Sequence, residues 1–207
     1  MAVTLYYASG SPYAWRAWLA LERKGIPYRH KLLSFDAGHL KTPEYVALNP
    51  RQRAPVLVDD DFVLYESAAI VEYVEDRWPN GPALFAHEPR ERAIQRRMVH
   101  EVDQYFPDFG KRLGSTAAGE DTLKDLRKEL AYWEGAATAD YLTGELSVVD
   151  LTVFPFIALF MRLAGRRKDF VKDDVIGPRI AAWIDRMQTL PIVQRTWPPH
   201  WKRGAPS

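Results

Sequence analysis

Residues 54–67, APVLVDDDFVLYES, place two short apolar runs, VLV and FVLY, on either side of three successive aspartates at 59–61. Strand-forming runs separated by a polar turn read as a hairpin, which makes the sheet antiparallel at that point. Earlier in the chain VTLYY, residues 3–7, is a β-prone run ended by Ser9 and Gly10, and PYRHKLL, residues 27–33, is a second. Between them Ser11-Pro12 offers a helix N-cap with proline at the first helical position. Trp15, Trp18, Leu19 and Leu21 follow at helical spacing, and Gly25 supplies the stop. After a turn at Ala37-Gly38, TPEYVAL predicts a short helix ending before Asn49-Pro50. From Ser67, the expected N-cap, Ile70, Tyr73, Val74 and Arg77-Trp78 recur with helical period. The order β-α-β-α-β-β-α describes a small α/β domain with a mixed sheet.

The pattern then changes. WPNGPALFAHEP, residues 78–89, is rich in proline and glycine and reads as a linker. Beyond it only helical periodicity is found. Ile94, Met98, Val102, Tyr105 and Phe109 are expected on one buried face, as are Leu123, Leu126, Leu130 and Trp133. Ser147-Val148-Val149-Asp150 resembles a capping box at the head of LTVFPFIALF, and Ile180, Ile184 and Met187 mark another helix. The tail WPPHWKRGAPS lacks periodicity and is expected to drape or fray. The expected domains are therefore residues 1–78 and 90–207, joined by 79–89.

Composition excludes several chemistries. The 28 basic and 27 acidic side chains leave a net charge of +1, with no basic block to attract nucleic acid or an anionic membrane. With no cysteine there is no disulfide, thiolate metal site or cysteine nucleophile. The five histidines, at 30, 39, 87, 100 and 200, lack paired ligand spacing, so no metal is expected. No glycine-rich phosphate loop occurs. Leu151–Met161 is too short an apolar run to span a bilayer, and the opening residues lack a leader pattern, so a cytoplasmic location is expected.

Two stretches carry candidate chemistry. In SGSPYAWR, residues 9–16, the Ser11 hydroxyl is placed to cap a helix. The same place suits an anion, because unpaired N–H groups and the helix dipole converge there. A thiol brought in by a ligand would ionise more readily there, with a serine hydroxyl donating to the thiolate. In the second stretch, Ala54 offers backbone groups to an extended peptide if its bond to Pro55 is cis. Glu66 and Ser67, at a helix start, suit an α-amino acid head group: Glu66 for the ammonium, Ser67 and the local N–H groups for the carboxylate.

SPYAWRAWLALERKGIPY, KTPEYVALNP, RAPVLVDDDFVLYESAAIVEYVEDRWP and, more weakly, SVVDLTVFPF together resemble the glutathione transferases, in the family's order and spacing. SPY--R is similar to the tau-class pattern, and S---WR with LAL--KGI to the zeta class. The resemblance implies an α/β thioredoxin-like N-terminal domain with a mixed four-stranded sheet, an all-α C-terminal domain, and a homodimer. It implies glutathione as co-substrate, no metal, and conjugation of the thiolate to an apolar electrophile.

By the same resemblance Ser11 contacts the sulfur, with Ser9 or Tyr7 as alternatives, and the Ala54 backbone pairs with the cysteinyl unit. Glu66 and Ser67 hold the γ-glutamyl end, Arg53 meets the ligand, and Lys41 approaches the glycyl carboxylate. A glutathione-dependent isomerase or lyase, or a non-catalytic binding module, are the alternative readings. The chain departs from the family in lacking the glycine often found in NPRQRAP, and in carrying Pro12 where zeta members continue with serine and cysteine.

Overall fold

In the computed structural model, which describes residues 2–115 and 120–201, Val3–Ala8 forms strand β1. Pro12–Lys24 forms α1, Tyr28–Leu33 β2, and Pro43–Leu48 α2, after a single 3-10 turn at His39–Lys41. Val56–Asp59 (β3), Phe62–Tyr65 (β4) and Ser67–Arg77 (α3) complete the first part. The ends of α1 are those the sequence predicts. Ser11 caps it, Pro12 is its first residue, and Gly25 closes it at φ 67, with its N–H directed to the carbonyls of Leu21 and Glu22.

The sheet runs β2-β1-β3-β4, with β1 parallel to β2 and antiparallel to β3, and β3 antiparallel to β4. Alternation along β1 sends successive side chains to opposite faces. Tyr7 stacks against Trp18 of α1 with ring centroids 4.6 Å apart, whereas Tyr6 meets Tyr45 of α2. Helices α1 and α3 pack together against the first face, where Leu5 and Leu57 are fully buried. Leu33, Leu40, Tyr45 and Val56 form the core on the α2 face.

The hairpin turn is tighter than three aspartates suggest. Asp59 belongs to β3 and pairs with Phe62, so the turn is Asp60-Asp61, with Asp60 at φ 54. Asp59 is buried and accepts from the Tyr73 hydroxyl at 2.7 Å and Arg77 Nε at 3.3 Å, which draws it out of the turn.

The second part is helical throughout its regular elements among the described residues: Pro89–Gly114 (α4), Glu120–Ala136 (α5), Val148–Ala164 (α6), Lys172–Val175 (α7), Pro178–Thr189 (α8) and Pro191–Thr196 (α9). The buried stripe of α4 is Gln95, Met98, Val99, Val102, Phe106, Phe109 and Leu113. Ile94 and Tyr105, expected in the core, are each 50% exposed because the 3.6-residue period selects their neighbours Gln95 and Phe106. Phe106 packs its ring on Trp133 of α5 and on Phe156 and Phe160 of α6. The expected capping box is present: Ser147 Oγ accepts from Val149 N–H at 3.2 Å and Asp150 accepts from Ser147 N–H at 2.9 Å. Asp150, fully buried, also accepts from Leu142 N–H and Trp183 Nε1, at 2.9 and 2.8 Å. Burial pushes its carboxyl above the usual range, against the pull of these donors.

The described residues form two compact units. Among the described residues the first continues past Trp78 to Leu84 and takes in 195–201; the second is Phe85–Gln194. The proline- and glycine-rich segment after Trp78 does not hang loose. The buried pair of Lys24 Nζ and Glu75 Oε2, 2.5 Å apart, anchors it, because Glu75 also accepts from Leu84 N–H at 3.1 Å. Gly81 lies so close to Lys24 that a Cβ would stand 2.9 Å from the Lys24 carbonyl oxygen. The start of the tail expected to drape or fray, Trp197–Trp201, drapes over α1; residues 202–207 lie outside the described residues.

Candidate active site

Strand register brings the candidate residues to one end of the sheet. Tyr6 pairs with Val56, and Val56 pairs with Tyr65. The loop leaving the carboxyl end of β1 carries Ser9, Gly10 and Ser11. The loop entering β3 carries Arg53 and Ala54, and Glu66-Ser67 directly follow β4. Leu33, which ends β2 and leads toward Lys41, pairs with Ala8 at the same end. β1 is also where the order switches from β2 on one side to β3 on the other, the place where open α/β sheets form ligand crevices.

At the first loop, Ser11 is partly exposed and its hydroxyl accepts from Ala14 N–H at 3.4 Å, a long bond that leaves the cap weakly engaged. No acidic residue lies in the first turn of α1, so nothing there offsets the positive end of its dipole. Tyr7 is buried against Trp18 and His30, and burial raises its phenol, which keeps it protonated. Tyr7, Ala8, Ser9, Gly10, Trp15, Trp18, Thr196 and Pro198 line a crevice too tight to hold a water molecule.

At the second loop the Ala54–Pro55 bond is cis. The Arg53 carbonyl accepts from the Tyr45 hydroxyl and from Asn49 Nδ2, both at 2.7 Å, which fixes the backbone while the Arg53 side chain stays exposed. Gln52 adopts φ 54, in the left-handed region that favours glycine. Burial, with Tyr6 nearby, pushes the Tyr45 phenol up to about 12.

At the third loop the sequence expectation is corrected. The N-cap of α3 is Glu66, at φ 71 and ψ 108, and Ser67 is the first helical residue. Ser67 is buried and its hydroxyl accepts from Nη2 of Arg16 at 2.6 Å. That bond turns the hydroxyl inward, leaving Glu66 exposed at the helix entry. A non-glycine residue at such a dihedral costs on the order of 1 kcal/mol or more, and such costs cluster at binding sites. Arg16, 1% exposed, is the arginine of the SPY--R pattern, which assigned it no task in the site. Its signal was a cation inside the otherwise apolar run from Ala14 to Leu21 of α1. Lys41 is exposed at the end of the 3-10 turn. Among the described residues no group of His, Cys, Asp and Glu is arranged to hold a metal ion.

In the second unit Phe109 is buried on Phe160, as expected of the buried face, whereas Tyr105 is exposed beside Glu101, Asp125 and Tyr132.

Comparison with known proteins agrees with this architecture. Residues 10–77 match the family description "Glutathione S-transferase, N-terminal domain", and residues 97–186 match "Glutathione S-transferase, C-terminal domain". The chain is 31% identical to glutathione S-transferase U2 of Arabidopsis thaliana, over 93% of this chain and 86% of that protein. It is 28% identical to glutathione S-transferase A of Pleuronectes platessa, over 96% and 92% of the two chains. Among solved structures, a glutathione S-transferase from the Antarctic clam Laternula elliptica superposes with a TM-score of 0.84 at 28% identity, covering 99% of this chain and 95% of that one. With both domains matched in order and the mixed sheet followed by helices, the chain belongs to the glutathione S-transferase family.

Proposed function

We propose that the chain joins glutathione, through its thiolate sulfur, to an apolar electrophile, and that the carboxyl end of the β1 strand and its neighbouring loops receive the tripeptide. The observation that supports this most is the shared rung of Tyr6, Val56 and Tyr65, which gathers three differently built loops at one sheet end. Each loop offers what one part of an extended γ-glutamyl tripeptide needs. Ser11 and the α1 terminus provide a hydroxyl and a positive dipole end for the sulfur. The Ala54 backbone suits the cysteinyl unit by strand-like pairing. Glu66 with the first turn of α3 suits the α-amino and α-carboxylate groups, Ser67 being held by Arg16. Arg53 and Lys41 are exposed cations for the remaining carboxylate.

In this reading the Ser11 hydroxyl and the N–H groups of α1 hold the sulfur as thiolate, and each unit of thiol pKa depression corresponds to about 1.4 kcal/mol favouring the charged form. The thiolate displaces a leaving group from, or adds to, the electrophile. A homodimer in the cytoplasm is part of the proposal. Among the described residues no helix is long and apolar enough to cross a membrane.

Calorimetric titration with glutathione and arylation of glutathione by an activated aryl halide test the reading together. Ser11→Ala is expected to lower conjugation roughly ten- to a hundredfold, the scale of a lost hydrogen bond to a charged group. Absence of binding heat with folded protein overturns the proposal. Thiolate absorbance unchanged in Ser11→Ala removes that residue from it.

A further inference from the structure

The segment Thr196–Trp201 is fastened to α1 along its length. Arg195 Nε meets Glu22 Oε2 at 2.7 Å, and buried Thr196 accepts from Trp15 Nε1 at 2.8 Å. The rings of Trp197 and Trp201 stand edge-on to that of Trp15, with centroids 5.5 and 5.7 Å away. Trp201 N–H closes a turn on the Pro198 carbonyl at 2.9 Å, and Pro198 is buried in the wall of the crevice beside Ser9 and Gly10. A strap held by two tryptophans and a buried threonine is a built element, not a fraying end.

The strap delivers an imidazole to the β1–α1 loop. His200 Nδ1 lies 2.7 Å from Ser9 Oγ. Gly10, at φ 79, makes room for it: a Cβ there would stand 2.9 Å from His200 Cε1 and 3.0 Å from Trp201 Nε1. Ser9, Gly10 and the N-cap Ser11 are consecutive, so whatever fixes Ser9 also fixes the turn that presents the Ser11 hydroxyl.

We propose that His200 is a positioning residue for the thiol site: through Ser9 it holds the β1–α1 loop and sets whether the Ser9 hydroxyl is a donor toward the bound sulfur. This rests on the glutathione reading above. When Nδ1 carries a hydrogen, His200 donates to Ser9 Oγ, and the Ser9 hydrogen is left to turn toward an anion at the α1 terminus. When Nδ1 is bare it accepts that hydrogen and withholds it. A thiolate beside the helix terminus selects the first arrangement, because it adds a donor facing negative charge.

The test compares wild type with His200→Ala, His200→Asn, Ser9→Ala and the double variant His200→Ala/Ser9→Ala. In His200→Ala the thiolate fraction of bound glutathione and kcat are expected to fall about three- to tenfold, the range of one hydrogen bond, with KM nearly unchanged. His200→Asn keeps a polar group near the Nδ1 position and is expected to retain most of both. The double variant is expected to be no worse than the worse single one, as for two residues acting through one bond. Wild-type kcat and thiolate fraction in His200→Ala, or losses that multiply in the double variant, overturn the assignment.

Amide exchange at residues 8–11 in ligand-free protein supplies a readout independent of glutathione. Faster exchange in His200→Ala supports the strap's hold on the loop even if wild type binds no glutathione, in which case the proposed function alone fails. Unchanged exchange overturns the hold itself.

Discussion

Nη2 of Arg16 donates to Ser67 Oγ at 2.6 Å, tying the first turn and a half of α1 to the first residue of α3 inside the protein. Two helix N-termini are thereby held in fixed relation by one charged hydrogen bond, with the Tyr13 ring 5.8 Å from the guanidinium carbon. Replacing Arg16 by lysine keeps the charge but loses the planar, multi-donor head. Arg16→Lys is expected to lose about 1.5–3 kcal/mol of unfolding free energy in urea titrations, the scale of a hydrogen bond to a charged group. On the proposed function it also weakens glutathione binding, measured by calorimetry. Ser67→Ala is expected to reproduce the affinity loss.

Lys24 and Glu75 are a second buried pair, with side chains 1% and 10% exposed. Removing one partner leaves the other charge stranded, so Glu75→Ala is expected to cost about 3–5 kcal/mol. It also frees Leu84 N–H, which Glu75 accepts at 3.1 Å, and so loosens the segment around Gly81. The double replacement Lys24→Met/Glu75→Leu is expected to recover most of the Glu75→Ala loss, because no charge is left buried. Denaturant midpoints of the three variants check this.

Asp150 collects two backbone N–H groups and an indole N–H. Asp150→Ala strands all three, and loss of the cap on α6 adds to that. The expected cost is about 3 kcal/mol or more, with near-ultraviolet dichroism of Trp183 reporting the local loss.

Tyrosines give the alkaline limit of stability. Burial raises the phenols of Tyr7 and Tyr45, and also that of Tyr28, where acceptance of its hydrogen by Glu22 at 2.6 Å adds to the effect. Their folded values lie above the unfolded value near 10, so the native state keeps protons that the unfolded chain releases. Their contribution is complete below about pH 10 and is lost as pH rises through the folded values, about 12 for Tyr45. Tyrosinate absorbance of native protein at pH 11 is therefore expected to fall short of that of the unfolded chain, and the denaturant midpoint to drop from pH 10 upward.

Much of the fold was legible because local signals agreed with one another. Ser11-Pro12 and Gly25 bound α1, and Ser147 with Asp150 opens α6. The readings that failed were those decided by distant partners. Ser67 has the chemistry of a cap, yet it lies one residue inside α3 because buried Arg16 claims its hydroxyl. Asp59 has the composition of a turn but is held in β3 by Tyr73 and Arg77. Ile94 and Tyr105 are apolar and aromatic on the surface of α4, while polar Gln95 is buried because it donates to Thr143 Oγ1 and accepts from Ala86 N–H. NPRQRAP lacks a glycine, and Gln52 nevertheless takes a positive φ, a conformation its residue type does not announce. No periodicity could have announced that the tail meets α1, because its anchors are three tryptophan rings and a histidine brought together only by the fold.

The Asp60-Asp61 turn stands at the far end of β3 from Ala54, with Val56 to Asp59 between them, roughly 10 Å at the usual strand rise. It is exposed, and its neighbour Asp59 stays locked to α3 whatever is attached beyond it. A tether or dye grafted between Asp60 and Asp61 would therefore attach to the first unit at the end of β3 opposite Ala54, away from the loops that carry the candidate residues.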